Sequence, residues 1–316
     1  MADRPLYCKR GNVLGNYLKQ NNSQMPACGH TAGVQPPEPA ASLKPITTSE
    51  FHALRDLVYQ RFGINLTDQK QSLVTSRLQA MLQSQGFASF ADYYRYLLED
   101  RTNQGLDELI NRISTNFSYF YRESTHFDFF TKLALPQLLK ELRRKGSNDI
   151  RIWTAGCSTG EEPYMLIMLM MEVMGLEYGQ WNAGCLATDI SERVLSIAGE
   201  GVYPEDRVSR VPPPLRHKYF KPGGVGLVKV HERVREEITL RRFNLMNTEF
   251  PFKKPFHMIF CRNVMIYFDK PTRDALIRRF HQITEAGGYL FIGHSETISR
   301  DQGMYKYVMP ACYQRL

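Results

Sequence analysis

The sequence predicts a small all-α unit followed by an α/β domain that is built on a mostly parallel sheet. Apolar residues recur at helical spacing from 46 to about 125, and strand-like apolar runs alternate with helices after Gly146. Such alternation is typical of a parallel sheet with helices on both faces. With 316 residues, of which 43% are hydrophobic, the chain is long enough for two domains.

Residues 1–45 are predicted to form a flexible extension, because they contain several Asn and Pro residues and show little apolar periodicity. They also lack the apolar segment of a secretory signal, so we expect a cytoplasmic protein. The most apolar stretch, 164–174, is too short to span a bilayer.

Four helices are predicted between 46 and 125. The first begins with a capping box, formed by Thr47 and Glu50, and ends at Gly63. Two short helices around 90–98 and 106–113 complete the unit.

The second helix of this unit is predicted from about Asp68 to Gly86, with Lys70 and Arg77 pointing outward. Its predicted inward face consists of Leu73, Val74, Leu78, Met81 and Leu82.

Strands and helices alternate from Gly146 to the end of the chain. The predicted parallel strands are Ile150–Ala155, Gly184–Thr188, Ile238–Phe243, His257–Cys261 and Tyr289–Gly293. Met304–Val308 and Ala311–Arg315 predict a final antiparallel hairpin, because Pro310 separates them. The stretch 203–237 interrupts the alternation with three consecutive prolines and a Gly-Gly turn, which favours a small β-insertion.

A glycine turn after the first strand predicts a ligand cradle. The turn Gly156–Gly160 leads into a helix that begins with Glu161 and Glu162. Glycines allow close approach of a ligand to the backbone, and the start of a helix presents free N–H groups. Because two carboxylates follow the turn, a pyrophosphate is disfavoured, whereas an ammonium, a sulfonium or ribose hydroxyls are favoured. S-adenosylmethionine carries all three groups.

The same turn also matches the motif Gly-x-Ser-x-Gly, which exposes the nucleophilic serine in many hydrolases. A serine hydrolase using Ser158, with Asp269 and His294 completing a triad, is therefore an alternative. It is disfavoured because the chain before Ile150 predicts no strands, and because an oxyanion would develop beside two carboxylates. A structural turn without a ligand is a further alternative.

Polar residues follow three further predicted strands. Asp189 follows the second strand, Asn244 the third, and Arg262 and Asn263 the fourth. Each of them alone would be an ordinary cap or turn residue. Because the carboxyl ends of parallel strands meet at one edge of a sheet, their shared placement favours a common site.

Cysteine content and charge narrow the choice of ligands and partners. The six cysteines form no C-x-x-C pair, so we expect no disulfide framework and no metal site. The formal net charge of +8 favours an acidic partner. Nucleic acid is not expected, because the sequence has no basic stripe interleaved with aromatic residues.

Five ordered segments carry a family resemblance: Thr115–Glu123, Ala155–Tyr164, Ala187–Ile190, Phe260–Asp269 and Gly287–Glu296. They are similar to those of the chemotaxis receptor methyltransferases, the CheR family, and the resemblance extends from about Ile46 to the C-terminus. It implies a helical substrate-recognition domain over 46–125 and a Rossmann-like, S-adenosylmethionine-dependent methyltransferase domain over 126–316. The resemblance also implies a β-subdomain inserted in the methyltransferase domain, which agrees with the insertion predicted at about 203–237.

The resemblance also implies the cofactor contacts. They are Asn116, Ser118, Arg122, Gly156, Glu162, Asp189, Asn244, Leu245, Arg262 and Asn263. Arg122 would lie near the methionine carboxylate and the transferred methyl, Glu162 at the methionine amino end, and Asp189 at the ribose hydroxyls. Asn244, Leu245, Arg262 and Asn263 would surround the adenine. The implied catalytic residues are Arg122 and Tyr267, with Tyr267 facing the substrate carboxylate.

The implied reaction is methyl transfer from S-adenosylmethionine to glutamate side chains of a chemoreceptor cytoplasmic helical domain, with S-adenosylhomocysteine as the product. Lys70 and Arg77 would dock this acidic partner. The turn Lys221–Gly226 is short, so we expect recognition to be dominated by charge rather than by a receptor tether. We expect a monomer that binds no nucleic acid and does not insert into the membrane.

Two further alternatives stay open. A nucleic-acid methyltransferase is disfavoured because the residues after the fourth strand, Arg262 to Tyr267, do not resemble the Asn-Pro-Pro-Tyr turn of amino-group methylases. A non-catalytic module that binds S-adenosylmethionine for signalling would have the same sequence features.

Overall fold

The computed structural model describes residues 43–298 and 303–316. Most of the predicted flexible extension, with Cys8 and Cys28, lies outside these residues. Leu43, at the end of that extension, is buried in the core of the helical unit. In the described part of the chain, no helix has both the length and the apolar character to cross a membrane.

The helical unit has the predicted order of elements. Its helices are α1 Thr48–Phe62, α2 Gln71–Ser84, α3 Phe90–Glu99 and α4 Gln104–Ile113. The capping box is confirmed, because Thr47 Oγ1 accepts from Glu50 N at 3.3 Å and Glu50 Oε2 accepts from Thr47 N at 2.8 Å.

The predicted orientation of α2 is wrong at two positions. Leu73, expected in the core, is 42% exposed and faces a cleft between the helical and α/β units. Arg77, expected to point outward, faces the same cleft because residues four apart share one face of a helix. Lys70 lies in a single 3₁₀ turn, Asp68–Lys70, that precedes α2.

The α/β unit contains a seven-stranded sheet and a three-stranded sheet. The strands are β1 Ile152–Ala155, β2 Cys185–Asp189, β3 Val202–Pro204, β4 Phe220–Gly224, β5 Leu227–Val230, β6 Ile238–Arg242, β7 Phe256–Cys261, β8 Thr284–Ile292, β9 Tyr305–Met309 and β10 Cys312–Arg315. The helices are α5 Ser124–Phe129, α6 Leu135–Arg144, α7 Glu161–Met174, α8 Glu192–Glu200, α9 Pro213–Tyr219, α10 Glu232–Arg235 and α11 Lys270–Ile283. A π-helical turn, Phe130–Ala134, joins α5 to α6.

The large sheet has the strand order β6-β2-β1-β7-β8-β10-β9. The first five strands are parallel, and β10 and β9 add the predicted antiparallel hairpin. The chain moves from β1 outward to β2 and β6, and then crosses to the other side of β1 to form β7. The strand order therefore reverses between β1 and β7, and a ligand crevice is expected at their carboxyl ends.

Side chains of the parallel strands alternate between two buried layers. Ile152 and Phe260 belong to the layer that contains α7, whereas Trp153 and Ile259 belong to the layer that contains α11. The methionines of α7 are core residues as predicted, and Met165, Met168 and Met170 are fully buried.

The predicted insertion forms the small antiparallel sheet, in the order β3-β5-β4. Tyr203 on β3 donates a hydrogen bond to Thr159 O at 2.6 Å. Because Thr159 belongs to the glycine turn, the insertion is fixed directly to the predicted ligand cradle.

Candidate active site at the carboxyl edge of the sheet

One cleft between the helical unit and the carboxyl edge of the large sheet collects the predicted site residues. The ten implied cofactor contacts, Tyr267, Lys70 and Arg77 all line it. The glycine turn and Arg262 lie at the ends of β1 and β7, where the strand order reverses.

The glycine turn depends on Gly156. This residue has φ +85°, and a Cβ there would lie 2.4 Å from Val264 Cγ2. The N–H groups of Gly156 and Cys157 both donate to Thr188 O at 2.8 Å, which ties the turn to β2. A side chain at Gly156 would therefore separate the turn from the loop that follows β7.

The hydrolase triad does not form. Ser158 Oγ donates to Asn116 O at 3.1 Å. Asp269 caps α11 and accepts from Tyr59 Oη at 2.9 Å, and His294 lies beside His126 instead. In the described part of the chain, β1 is the only strand before the turn, whereas several strands precede the nucleophile turn in hydrolases of this type.

Asp189 links the glycine turn to α8. Its carboxylate accepts from Ser158 N at 2.9 Å and from Ser191 N at 3.0 Å. Burial raises the pKa of Asp189, and these backbone N–H groups oppose that shift. Asp189 is thereby held at the edge of the cleft with oxygen lone pairs still able to accept from hydroxyls.

The two glutamates at the start of α7 have different surroundings. Only Glu162 lines the cleft. The Glu161 side chain is 1% exposed and accepts from Thr159 Oγ1 at 2.7 Å. The expectation that a ligand would face both carboxylates is therefore wrong, although Glu162 alone still disfavours a pyrophosphate.

Arg262 lies between two carboxylates beneath the cleft. Its guanidinium is 2.7 Å from Glu162 and 3.1 Å from Glu123, and it donates to Arg122 O at 2.5 Å. Burial raises the pKa of Glu162, and Arg262 opposes this effect. Arg262 lines the same cleft as Asn244 and Leu245, and its place near the adenine stays a prediction.

The linker from α4 to α5 lies along the cleft. Arg122 Nη1 donates to Phe117 O at 3.0 Å, and its guanidinium lies 5.8 Å from the centre of the Tyr119 ring. Among the described residues, no carboxylate oxygen lies within 4.0 Å of the Arg122 guanidinium nitrogens. The charge of Arg122 is therefore available to an anionic group in the cleft.

Asn244 and Leu245 form the part of the cleft next to the helical unit. Asn244 Nδ2 donates to Arg61 O at 2.8 Å, and its Oδ1 accepts from Met246 N at 2.9 Å. Leu245 is 8% exposed and offers an apolar wall. The side chain of Asn244 thus connects β6 to the end of α1.

Comparison with known proteins assigns this arrangement to a family. A sequence model described as the CheR methyltransferase SAM-binding domain matches residues 116–312. A second, described as the CheR methyltransferase all-alpha domain, matches residues 49–114. The chain belongs to the CheR methyltransferase family. The predicted resemblance and the Rossmann-like fold with a preceding all-α domain are confirmed.

Individual relatives agree with this assignment. A chemotaxis protein methyltransferase of Borreliella burgdorferi is 44% identical over 270 residues, which cover 85% of this chain and 95% of that protein. The chemotaxis protein methyltransferase of Escherichia coli K12 is 35% identical, over 80% of this chain and 86% of that protein. Chemotaxis protein methyltransferase 2 of Pseudomonas aeruginosa is 36% identical, over 79% of this chain and 87% of that protein.

Tyr267 in this CheR methyltransferase has a defined partner. Its hydroxyl donates to Thr115 O at 3.1 Å, and its backbone oxygen accepts from Asn65 N at 2.8 Å. A carboxylate that binds Tyr267 would compete with Thr115 O for the hydroxyl proton. Tyr267 thus also joins the loop after β7 to the helical unit.

Sequence reasoning gave no role to Glu296, which organises the loop after β7. Glu296 is 3% exposed and accepts from Asn263 N at 3.2 Å and from Ile266 N at 3.0 Å. A Cβ at Gly293 would lie 2.5 Å from Asn263 Nδ2. The segment Gly293-His294-Ser295-Glu296 was part of the family resemblance, but only the fold brings it to Asn263.

Arg207 of the insertion was also missed. It donates to Ser118 O, lies 3.8 Å from buried Glu161, and stacks over Phe117 at 5.6 Å. No pattern in the sequence pairs Arg207 with the linker, because 89 residues separate it from Ser118.

Proposed function

We propose that this protein transfers a methyl group from S-adenosylmethionine to glutamate side chains of a chemoreceptor cytoplasmic helical domain. The products are glutamyl methyl esters and S-adenosylhomocysteine. The observation that carries the proposal is the cleft itself, in which Glu162, Asp189 and Arg122 present complementary groups at the strand crossover. The named relatives support the choice of a chemotaxis receptor as substrate.

The residues of the cleft fit S-adenosylmethionine chemically. Glu162 would hold the ammonium, Arg122 the methionine carboxylate, and Asp189 the ribose hydroxyls. Asn116, Ser118, Asn263 and the Gly156 turn would complete the pocket. Leu245 and Asn244 would face the adenine. When bound, the cofactor supplies a methyl group already activated by the sulfonium.

The protein needs no general base for this reaction. A glutamate carboxylate has an unperturbed pKa near 4.3 and is ionised at neutral pH. Tyr267 would orient the incoming carboxylate, and Arg122 would orient the methionine end of the cofactor near the transferred methyl. Alignment of reacting groups contributes up to about 7–11 kcal/mol in favourable cases. The helical unit lines one side of the cleft, and a site from which water is excluded strengthens the electrostatic interactions inside it.

The acidic face of a receptor helix would meet Lys70 beside the cleft. Because the substrate is the cytoplasmic part of a receptor, we place the activity in the cytoplasm, and we propose that the protein acts as a monomer and needs no metal for methyl transfer.

The decisive experiment combines methyl-labelled S-adenosylmethionine with receptor cytoplasmic fragments. Alkali should release labelled methanol, which is diagnostic of a carboxyl methyl ester. The matched control is a receptor fragment whose glutamates on the helical surface are replaced by alanine. Label that resists alkali would overturn the assignment of a carboxyl methyl ester, and binding of cofactor without transfer would favour the non-catalytic signalling module.

A further inference from the structure

A second cluster of potential ligands lies behind the cleft. It consists of Glu123, His126 and His294, and one ligand atom from each lies within 4.8 Å of the other two. His126 Nδ1 is 3.7 Å and His294 Nε2 is 3.9 Å from the same atom, Glu123 Oε2. The two imidazole rings are 4.8 Å apart and nearly perpendicular.

One ring nitrogen of His126 lacks a hydrogen-bond partner among residues 43–298 and 303–316. The residue is 0% exposed, and its Nε2 lies 3.1 Å from Pro310 O. A carbonyl oxygen only accepts, so Nε2 carries the proton and Nδ1 presents a lone pair. In the part of the chain that the structure describes, Nδ1 is buried without a hydrogen-bond partner, and it lies 3.7 Å from Glu123 Oε2. Two lone pairs that face each other at this distance require a positive or hydrogen-bonding group between them.

The orientation of His126 is typical of a metal ligand. Histidines that bind a metal through one nitrogen usually donate the other N–H to a carbonyl or carboxylate, which fixes the ring. Pro310 O serves this purpose for His126.

Glu123 shares its cationic partner with a second carboxylate. Arg262 lies between Glu123 and Glu162 and makes ion pairs with both, and its Nη2 is 3.1 Å from Glu123 Oε2. Arg122 also acts on Glu162. A cation at the cluster would therefore be held by the donor atoms of Glu123, His126 and His294 rather than by an excess of negative charge.

We propose that Glu123, His126 and His294 form a zinc-binding site. Two imidazole nitrogens and one carboxylate are a donor set that Zn²⁺ accepts in tetrahedral geometry. Zinc–ligand bonds of about 2.0–2.2 Å separate the ligand atoms by roughly 3.4 Å. The distances of 3.7 and 3.9 Å to Glu123 need only a small contraction, whereas the two imidazole nitrogens, which lie within 4.8 Å of each other, would have to approach by up to about 1.4 Å.

His294 provides access for the metal. Its side chain is 44% exposed, whereas Glu123 is 13% and His126 0% exposed. Zinc can therefore enter from the His294 side, and a water molecule can occupy the fourth position. The set was not evident from the sequence, because His294 lies 171 residues from Glu123.

The test is a titration of the full-length protein with Zn²⁺ in chelator-free buffer, followed by calorimetry. We expect one Zn²⁺ per chain and a rise in melting temperature on binding. His294→Ala, an exposed position that should fold, and Glu123→Gln should each weaken binding by at least about tenfold. Co²⁺ should give the visible absorption of a four-coordinate site in the parent protein and lose it in His294→Ala.

Two controls separate this site from other donors. His52→Ala removes a different histidine, which lies 3.2 Å from Asp68 and has no third metal-ligating side chain beside it among the described residues. This variant should bind zinc as the parent does. A variant with Cys8, Cys28 and His30 replaced tests the N-terminal donors and should also bind normally. The proposal is wrong if the parent binds no zinc, or if His294→Ala and Glu123→Gln bind as tightly as the parent. None of these readouts depends on methyl transfer.

Discussion

Arg262 Nη1 lies 2.7 Å from Glu162 Oε2, although 100 residues separate the two in sequence. The pair joins the carboxyl end of β7 to the first turn of α7. Both side chains are largely buried, at 3% and 17% exposure. Buried ion pairs often add little net stability, because desolvation offsets the attraction. The principal effect of this pair is therefore to fix a carboxylate at the floor of the cleft.

Removing Arg262 should destabilise the protein strongly. Arg262→Met leaves Glu162 and Glu123 buried together without their shared cation, and loss of one partner of a buried pair typically costs about 3–5 kcal/mol. Chemical denaturation should show this loss in the free energy of unfolding. As a control, Arg144→Met removes an exposed arginine paired with Glu141 and should leave the free energy of unfolding nearly unchanged, because water screens such pairs. Equal losses in both variants would contradict the buried-pair interpretation.

Glu162→Gln should lower the affinity for the cofactor much more than it lowers the stability of the protein. The amide keeps the shape and can accept from Arg262, but it removes the negative charge available to an ammonium. We expect a modest change in melting temperature and a clear loss of affinity for S-adenosylhomocysteine, measured by calorimetry. Unchanged affinity would remove Glu162 from the methionine end.

Asp189→Ala should weaken cofactor binding and also lower stability. The substitution leaves the N–H groups of Ser158 and Ser191 without their acceptor, at a cost of about 1–3 kcal/mol for each buried unpaired group. Asp189→Asn keeps one acceptor and should be less harmful. Calorimetry with S-adenosylhomocysteine and thermal melting measure the two effects, and Asp128→Ala, at an exposed acid, is the control.

The architecture was predictable because its periodicities are local. Alternating apolar strands such as Ile152–Ala155 and the capping box at Thr47 depend on neighbouring residues, so their patterns are visible in one sequence. The placement of Asp189 and Arg262 at one edge of the sheet could also be predicted, because the carboxyl ends of parallel strands meet at the same edge. Specific partners did not follow, because contacts such as Arg262 with Glu162 depend on how two loops meet in space.

The wrong orientation predicted for α2 has the same cause, because it also depends on tertiary contacts. Arg77 was expected at the surface because a charged residue on an amphipathic helix usually faces solvent. In the folded chain that face of α2 meets the linker, so Arg77 donates to Ile113 O at 2.6 Å and to Thr115 Oγ1 at 3.0 Å. Helical periodicity gives the face of a residue but cannot tell whether another element covers that face.

Arg122→Ala should lower turnover far more than stability. Among the described residues, its side chain makes one hydrogen bond, to Phe117 O, and a cation–π contact with Tyr119. Loss of a positioning charge affects mainly the transition state and the bound cofactor. Steady-state methylation and thermal melting should be compared with Tyr267→Phe, for which we expect a smaller loss limited to one hydrogen bond. Parallel losses of turnover and melting temperature in Arg122→Ala would indicate a structural arginine.

Stability should fall as pH decreases from about 6.5 to 4, in part through His257. Its Nδ1 accepts from Arg151 N at 3.0 Å, and burial, with Arg151 nearby, lowers the pKa of His257 to about 4. The unfolded chain therefore binds the proton more readily, and stability present above pH 6.5 is lost on acidification. The contribution is about 3 kcal/mol when fully expressed. His257→Asn should flatten the dependence of melting temperature on pH in this window, whereas exposed His217→Asn should not.

Substitution of Lys70 should weaken docking of the receptor without changing the stability of the fold. Lys70 lines the cleft, and within the described ranges of the chain its ammonium makes only a long contact of 3.4 Å with Asn65 O. Lys70→Glu should therefore raise the apparent KM for a receptor fragment and leave both the melting temperature and the affinity for S-adenosylhomocysteine unchanged. Arg77→Glu should raise KM and also lower the melting temperature, because it breaks the contacts with Ile113 and Thr115.

Salt provides the check on this electrostatic model. Exposed charges are screened beyond about 8 Å at physiological ionic strength, so the KM of the parent should rise with salt, and that of Lys70→Glu should rise less. Lys132→Glu is the matched control, because Lys132 is 77% exposed and pairs with Asp128 away from the cleft. If Lys70→Glu keeps the parent KM at every ionic strength, the helical unit does not dock the receptor by charge. If removal of a receptor's C-terminal peptide abolishes methylation instead, the β3-β5-β4 insertion is the anchor.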